Sequence, residues 1–388
     1  MSRIIEIENR YSPGCYPMRD IAIVRGEGAI VWDENGERYI DCVAGFGVAN
    51  IGHANPYVIK AINERADKLI TCPSVFYNDK RAELMKKLDD ITPENINRFF
   101  FCNSGTEAVE GALKFVRLAT GKTEFIAANR GFHGRTFGAL SATWAEKYRK
   151  PFMPLVPGFY HVPYNNIEAI AEKINEKTAG VIVEIVQGEG GIHLGNKDYF
   201  LSLRKICDES KLILIFDEIQ TGFGRTGRMF AYQHHNVYPD ILCLAKSIAG
   251  GIPMGVVCFG DKIGEIPKGA HGSTFGGNPL VCAAALAAIK YIEDFNLPEK
   301  ADELGKYFIQ RLKEINSKLI REVRGIGLLI GIELKKRAFE YVRKLLNHKI
   351  LANPAGPTVL RLMPPLVIKK DQIDEVIEKV EKVLKEDG

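Results

Sequence analysis

Between residues 99 and 259 the chain repeats one pattern: a short apolar run, a turn of glycine or small polar residues, then an amphipathic stretch. A parallel sheet demands this arrangement. Parallel strands need long crossovers, and helices covering both faces require strands that are apolar on both sides. The strand-like runs are Phe99–Cys102, Phe125–Ala128, Val181–Val186, Leu212–Phe216, Ile241–Leu244 and Val256–Phe259. Thr106–Thr120 reads as a helix stopped by Gly121. Upstream, GAIVWDENGERYIDCV reads as a hairpin about Asn35-Gly36. Beyond about residue 290 the texture changes: charged amphipathic helices, Leu297–Ser317 and Lys370–Lys385, bracket the strand-like REVRGIGLLIGIEL and TVLRLMPPLVI. The expected class is α/β, with a large domain (51–290) built on a mainly parallel sheet flanked by helices. A smaller α+β domain (291–388) follows it, and an N-terminal segment (1–50) packs with that smaller domain.

Composition narrows the function classes. With 46% hydrophobic and 26% charged residues the chain has an ordinary globular make-up. No apolar run approaches the roughly 18 to 20 residues of a membrane span. MSRIIEIENRYSPG places charges where a signal peptide needs its apolar stretch. The eight cysteines form no CxxC pair, and several lie in apolar runs such as ILCLAK and GVVCFG. A cytoplasmic protein with reduced thiols is expected, with no metal site and neither nucleic acid nor membrane as partner. The net charge of +4 suits anionic partners without requiring them.

The chemistry gathers at strand ends. Leu212–Phe216 delivers Asp217, and Ile241–Leu244 delivers Lys246; in an open parallel sheet, ligands sit beyond such ends. Burial of the lysine favours the neutral amine that forms an imine, and an aspartate beside it can hold a pyridine nitrogen protonated. Taken alone, the two residues read better as a buried ion pair. Asn103-Ser104-Gly105-Thr106, between a strand and a helix, is a phosphate cradle by its free N–H groups or simply a well-capped helix start. Arg130-Gly131-Phe132-His133-Gly134-Arg135-Thr136 offers an aromatic to stack on a flat ring and an arginine to grip a carboxylate. His271-Gly272-Ser273-Thr274-Phe275-Gly276-Gly277 is a second loop suited to phosphate. By contrast, Gly222-Phe223-Gly224-Arg225-Thr226-Gly227 matches GxGxxG, but too far from its strand for a dinucleotide site, and Asp240 falls too early. His234-His235 lacks carboxylates at ligand spacing.

In this order, the segments resemble the class III pyridoxal-phosphate aminotransferases of fold type I. The likeness runs from RGEGAIVWDENGERYIDCVAGFGVANIGHANP through NSGTEAVEGALKFVR, GFHGRT, VQGEGG, IFDEIQTGFGRTG, LAKSIAGGIPMG and HGSTFGGNPL to RLMPPLVI. The resemblance implies pyridoxal 5′-phosphate as cofactor. Lys246 is then its Schiff-base lysine and proton shuttle, with Asp217 on the pyridinium nitrogen and Gln220 near the ring hydroxyl. Phe132 and Ile219 flank the ring. Gly105 and Thr106 bind phosphate, and Thr274 reaches in from a second subunit, which makes a homodimer the active unit. Arg135 and Ser273 contact substrate. Arg361 holds the α-carboxylate of glutamate, and Glu189 masks that arginine for the other substrate. Phe46 and Tyr16 fall at positions of family substrate contacts. Two departures stand out: Glu184-Ile185-Val186-Gln187 replaces the usual Glu-Pro-Ile/Val-Gln, and Phe46 lacks the tyrosine hydroxyl found there in ornithine aminotransferases.

YIDCVAGFGVANIGHANP, LSATWAEKYRKPFMPLVPGF, IREVRGIGL and AGPTVLRLMPPLVI look most like the aminotransferases of the carrier-protein lysine pathway. These act on lysine or ornithine whose α-amine is linked to the acidic carrier LysW. The resemblance implies ω-amino transfer between such a blocked diamine and 2-oxoglutarate or glutamate, in lysine and arginine biosynthesis. An acetylornithine aminotransferase of arginine synthesis would share every site residue. Ornithine or 4-aminobutyrate aminotransfer fits less well, and a scaffold without chemistry would not need Lys246, Asp217 and the phosphate loops.

Overall fold

The computed structural model describes residues 2–386. Its centre is a seven-stranded sheet in the order Arg98–Cys102, Gly255–Phe259, Ile241–Leu244, Ile213–Asp217, Thr178–Glu184, Glu124–Ala128, Phe159–Val162. Gly255–Phe259 runs antiparallel to both neighbours; the other pairings are parallel. Six carboxyl ends therefore share one edge of the sheet.

Alternation along the strands divides the core. Leu214, Phe216, Val181, Val183, Ile126, Leu242 and Leu244 point into one apolar cluster, and Ile213, Ile215, Ile182, Phe125, Ala127, Ile241 and Cys243 into the other. Against the second face lies the helix Gly105–Thr120, which buries Ala108, Val109, Ala112, Leu113, Phe115 and Val116. Ser104 caps its start by accepting the Glu107 N–H, and Gly121, left-handed at φ 68°, ends it by donating to the Arg117 carbonyl. The cap places the free N–H groups of the first turn at the carboxyl edge of the sheet.

A second sheet, antiparallel, holds Ile320–Ile326, Leu329–Leu334, Val359–Leu362 and Asn353–Ala355. The expected hairpin is Ile30–Asp33 with Arg38–Asp41, and Arg38–Asp41 in turn pairs in parallel with Ile350–Leu351. Arg225, wholly buried in the glycine loop after Ile213–Asp217, ties the parts together. It donates to the carbonyls of Leu328 (2.8 Å) and Pro364 (2.6 Å) and to Asn50 Oδ1 (2.6 Å).

Several elements differ from the sequence reading. The run Val181–Val186 splits: the sheet strand stops at Glu184, and Val186–Gln187 pairs instead with His193–Leu194. The helix expected over 297–317 ends at Lys313. Phe159–Val162 is an added edge strand, whose half-exposed residues blur the apolar signal. Among the described residues no helix is long and apolar enough to cross a membrane.

Candidate active site

Lys246 follows strand Ile241–Leu244 and adopts a left-handed backbone, φ 49°, which a side chain with a Cβ enters only at a cost of about 1–2 kcal/mol. Burial lowers its pKa, as does the charge of Arg361, against the opposing pull of Glu189, Asp217 and Glu184. The amine is thereby moved toward its neutral, nucleophilic form.

Asp217 ends the adjacent strand and is buried. Its Oδ1 accepts the Ile219 N–H at 3.1 Å, and its Oδ2 lies 2.8 Å from His133 Nδ1. Burial alone would depress the His133 pKa; the hydrogen bond and charge of Asp217 overcome it and raise it. His133 behind the carboxylate orients Asp217, as a partner for a ring nitrogen requires.

The phosphate cradle is tighter than the sequence suggests. A Cβ on Gly105 would come within 2.8 Å of Ile219, so only glycine lets these two elements meet. The Thr106 hydroxyl accepts the N–H groups of Arg135 and Thr136 (both 3.2 Å) and lies 2.7 Å from Thr136 Oγ1. Its side chain thus holds the Phe132 loop, leaving the helix-start N–H groups of Gly105 and Thr106 for an anion. At Gly134 (φ 136°) a Cβ would strike Thr106, which locks the two loops together.

The half-buried Phe132 ring meets Tyr148 edge-on at 5.9 Å. Arg135 stacks its guanidinium 3.7 Å over Tyr148 and pairs with no carboxylate among the described residues. Arg361, 1% exposed on Val359–Leu362, bonds Glu189 Oε1 at 2.5 Å and the Gly188 carbonyl at 3.2 Å. Burial would raise the Glu189 pKa, but Arg361 and Lys246 lower it. Gln220 donates to the Phe46 carbonyl at 3.3 Å, while its buried Oε1 has no partner, an acceptor suited to a ring hydroxyl. Phe46 is 54% exposed in a turn where Ala44, Gly45, Phe46 and Gly47 all have positive φ.

A buried amine, a braced carboxylate, a helix-start cradle, the Phe132 and Ile219 side chains and an orphaned amide oxygen together fit a flat, phosphate-bearing carbonyl cofactor. Of the remaining sequence-predicted residues, Ser273 touches the cradle segment through Asn103, whereas Thr274 and Tyr16 face solvent. Ser273 Oγ is engaged by its own chain, accepting from Asn103 Nδ2 (3.2 Å) and the Gly276 N–H (3.1 Å), and Thr274 is exposed. Tyr16 is 71% exposed, and no hydrogen bond or ring contact brings it to the other site residues. Sequence reasoning assigned no role to His133, Glu184 or Tyr148, although all three lie in segments it singled out. Their signal was membership of those segments; their pairings depend on tertiary contacts.

A family model described as Aminotransferase class-III matches residues 11–384. The chain is 46% identical over 387 residues to the LysW-aminoadipate semialdehyde transaminase of Deinococcus radiodurans, covering 99% of this chain and 90% of that protein. It is 45% identical over 391 residues to the acetylornithine aminotransferase of Methanocaldococcus jannaschii, covering 98% of each. Among solved structures, a Toxoplasma gondii ornithine aminotransferase with partial occupancy of pyridoxal phosphate at its active site superposes with a TM-score of 0.95. The two are 33% identical, over 99% of this chain and 93% of that one. The acetylornithine aminotransferase of Elizabethkingia anophelis gives a TM-score of 0.88 at 33% identity, over 99% and 98% of the chains.

Proposed function

The chain belongs to the class-III aminotransferases, and from that membership we propose that it moves the ω-amino group between a LysW-linked diamine and 2-oxoglutarate. It is an enzyme of the pyridoxal-phosphate type with the fold type I architecture. When bound, the cofactor supplies a carbonyl that takes up an amino group and a protonated ring that withdraws electrons.

The chain's own residues provide the rest. Lys246 anchors the cofactor and carries the proton at its Nζ. Asp217, braced by His133, would hold the proton on the cofactor's ring nitrogen. The N–H groups of Gly105 and Thr106 would hold the phosphate, Phe132 and Ile219 would flank the ring, and Gln220 would meet its hydroxyl. Arg361 takes the α-carboxylate of glutamate once Glu189 leaves it, and Glu189 neutralises the arginine again for the diamine. Arg135, aimed by Tyr148, grips the distal carboxylate of glutamate or the α-carboxylate of the diamine. Ser273 and Tyr16 contact substrate in the assembled enzyme.

The observation that carries this reading is the buried Arg361–Glu189 pair beside the charge of Lys246, with a second arginine, Arg135, that pairs with no carboxylate among the described residues. A site that must accept both a dicarboxylate and an ω-amine needs one masked and one open arginine. The Deinococcus relative supports a carrier-linked diamine, and Phe46, without a phenolic hydroxyl, is poorly suited to free ornithine. The archaeal relatives support acetylornithine as the second reading. The exposed Val75, Phe76 and Tyr77, and the exposed Phe275 next to Thr274 in the chain, support a homodimer in which Thr274 enters the phosphate site of a second copy. The division into 1–50, 51–290 and 291–388 and a cytoplasmic location belong to the same proposal.

The test compares turnover of carrier-linked lysine, acetyl-lysine and acetylornithine over a range of salt concentrations. The carrier-linked substrate is expected to have the highest kcat/KM, falling as salt rises. Equal turnover without salt sensitivity would remove the carrier, and faster turnover of acetylornithine would favour the second reading.

A further inference from the structure

Glu184 ends strand Thr178–Glu184, in register with Asp217 on the next strand, and is 6% exposed. A carboxylate is expensive to bury, and Val181, Ile182 and Val183 before it are apolar as the sheet core requires. Something must compensate for it. Both its oxygens are spent on backbone N–H groups from different loops. Oε1 accepts from Phe132 at 2.9 Å, and Oε2 accepts from Gly188 at 3.1 Å.

The two loops carry different parts of the site. The first presents the Phe132 ring and His133, the brace of Asp217. The second runs from Gly188 into Glu189; both contact Arg361, Gly188 through its carbonyl and Glu189 through its carboxylate. Sheet pairing stops at Glu184, and the next two residues to pair, Val186 and Gln187, join another sheet, so the chain pivots at Ile185. The Tyr164 hydroxyl pins that pivot, donating to the carbonyls of Glu184 (2.8 Å) and Ile185 (2.9 Å). The Glu184 side chain spans it, from the Phe132 N–H to the Gly188 N–H. Gly188 has no room to substitute a side chain for the clamp, since a Cβ there would run into the Gln220 amide.

We propose that Glu184 is a positioning residue whose carboxylate clamps the Phe132 loop and the Gly188–Glu189 loop together, so that the ring-stacking side and the arginine mask are set by one group. The proposal rests on the roles given above to Phe132 and Glu189. Glu184 acts only through the N–H groups it holds. The groups facing it are His133, Asp217, Lys246 and Tyr164, from four separate segments. Burial pushes its carboxyl up to about 7, with His133 pulling it down and Asp217 pushing it up. Protonation removes charge from the acceptor and turns one oxygen into a donor facing an N–H, so the clamp weakens as pH falls through neutrality.

The test reads amide hydrogen exchange in the cofactor-free protein, in peptides covering 130–134 and 186–190, for the wild type, Glu184→Gln and Glu184→Ala. Expected is a rise in exchange of about tenfold or more in both peptides of each variant, the scale of losing a charged acceptor, with peptides of the C-terminal helix Lys370–Lys385 unchanged. In the loaded enzyme, KM for glutamate shifts severalfold in Glu184→Gln, because the Arg361 mask is no longer held in place. If the variants do not fold, the wild type alone decides. After correction for intrinsic exchange, protection of both peptides should fall together between about pH 8 and 6. A response in one peptide only, or in neither, overturns the clamp. The exchange measurement reads the clamp alone and the substrate panel reads the function, so either can fail without the other.

Discussion

Replacing Glu189 by glutamine isolates the arginine mask. Arg361 is nearly inaccessible, and its Nη1 donates to Glu189 at 2.5 Å and Gly188 at 3.2 Å, while its Nε has no hydrogen-bond partner. Breaking a fully buried ion pair costs about 3–5 kcal/mol. The Glu189 side chain is 26% exposed, so solvent screening reduces that to about 2–3 kcal/mol. In the wild type, glutamate must displace Glu189 from Arg361 before its α-carboxylate can bind, and that energy is charged against its affinity. At about 1.4 kcal/mol per tenfold, Glu189→Gln should tighten glutamate binding by roughly 30- to 150-fold. The diamine half-reaction should slow, because an uncompensated guanidinium is left facing a cationic amine. Single-turnover kinetics of each half-reaction, followed by cofactor absorbance, separate the two effects. If both half-reactions change by the same factor, or the glutamate constant moves less than twofold, Glu189 is not a mask and the dual-arginine account fails.

Three further outcomes follow from the geometry. Gly134→Ala puts a Cβ into Thr106 at a positive φ; it should weaken cofactor binding by about 2 kcal/mol or more, seen as a roughly thirtyfold higher dissociation constant by fluorescence titration. Arg135→Lys keeps the charge but loses the planar stack on Tyr148 and the bidentate fork; it should raise KM for both carboxylate substrates about tenfold with kcat little changed, as steady-state kinetics would show. For pH, burial raises the Glu218 carboxyl to about 7 from its ordinary 4.5, although it accepts from the Ala231 and Tyr232 N–H groups. Between those values the folded state keeps a proton that the unfolded chain has released, so this stabilising contribution is full below about pH 4.5 and is lost as pH rises through 7. Glu189, lowered from 4.5, works in the opposite sense: its contribution is present above about pH 4.5 and is lost as pH falls through its folded value. Urea unfolding of cofactor-free Glu218→Gln at pH 5 and 7 should show a smaller stability drop across that interval than the wild type.

The strands that carry Asp217 and Lys246 were legible because each is a continuous apolar run, buried on both faces, ending in a charged residue that no core position would tolerate. Direction was not legible. Gly255–Phe259 looks like its neighbours in composition, yet runs antiparallel, because strand polarity is set by connection and packing rather than local pattern. The pivot at Ile185 was hidden for a similar reason: apolar residues flank Glu184 on both sides in Val181–Val186, and only the competing pairing with His193–Leu194 ends the sheet strand. Phe46 shows another limit. AGFG advertises flexibility, but the left-handed conformation of Ala44 and Phe46 must be imposed by tertiary contacts such as the Gln220 bond to the Phe46 carbonyl. Likewise, the braces around the site, His133 on Asp217 and Tyr148 under Arg135, depend on side chains from distant segments converging. The chemistry-bearing residues stand out in the sequence because their types are unusual where they occur. The residues that aim them look ordinary until the strands are in register.

The account stands on Lys246 as the amine that holds the cofactor. Borohydride reduction of the protein loaded with pyridoxal phosphate, followed by proteolysis and mass spectrometry, tests this directly. The account predicts a single pyridoxyl-modified peptide, spanning ILCLAKSIAGG, with the modification on the Lys246 Nζ and absent from Lys246→Ala. Modification at another lysine, or none at all, would contradict it.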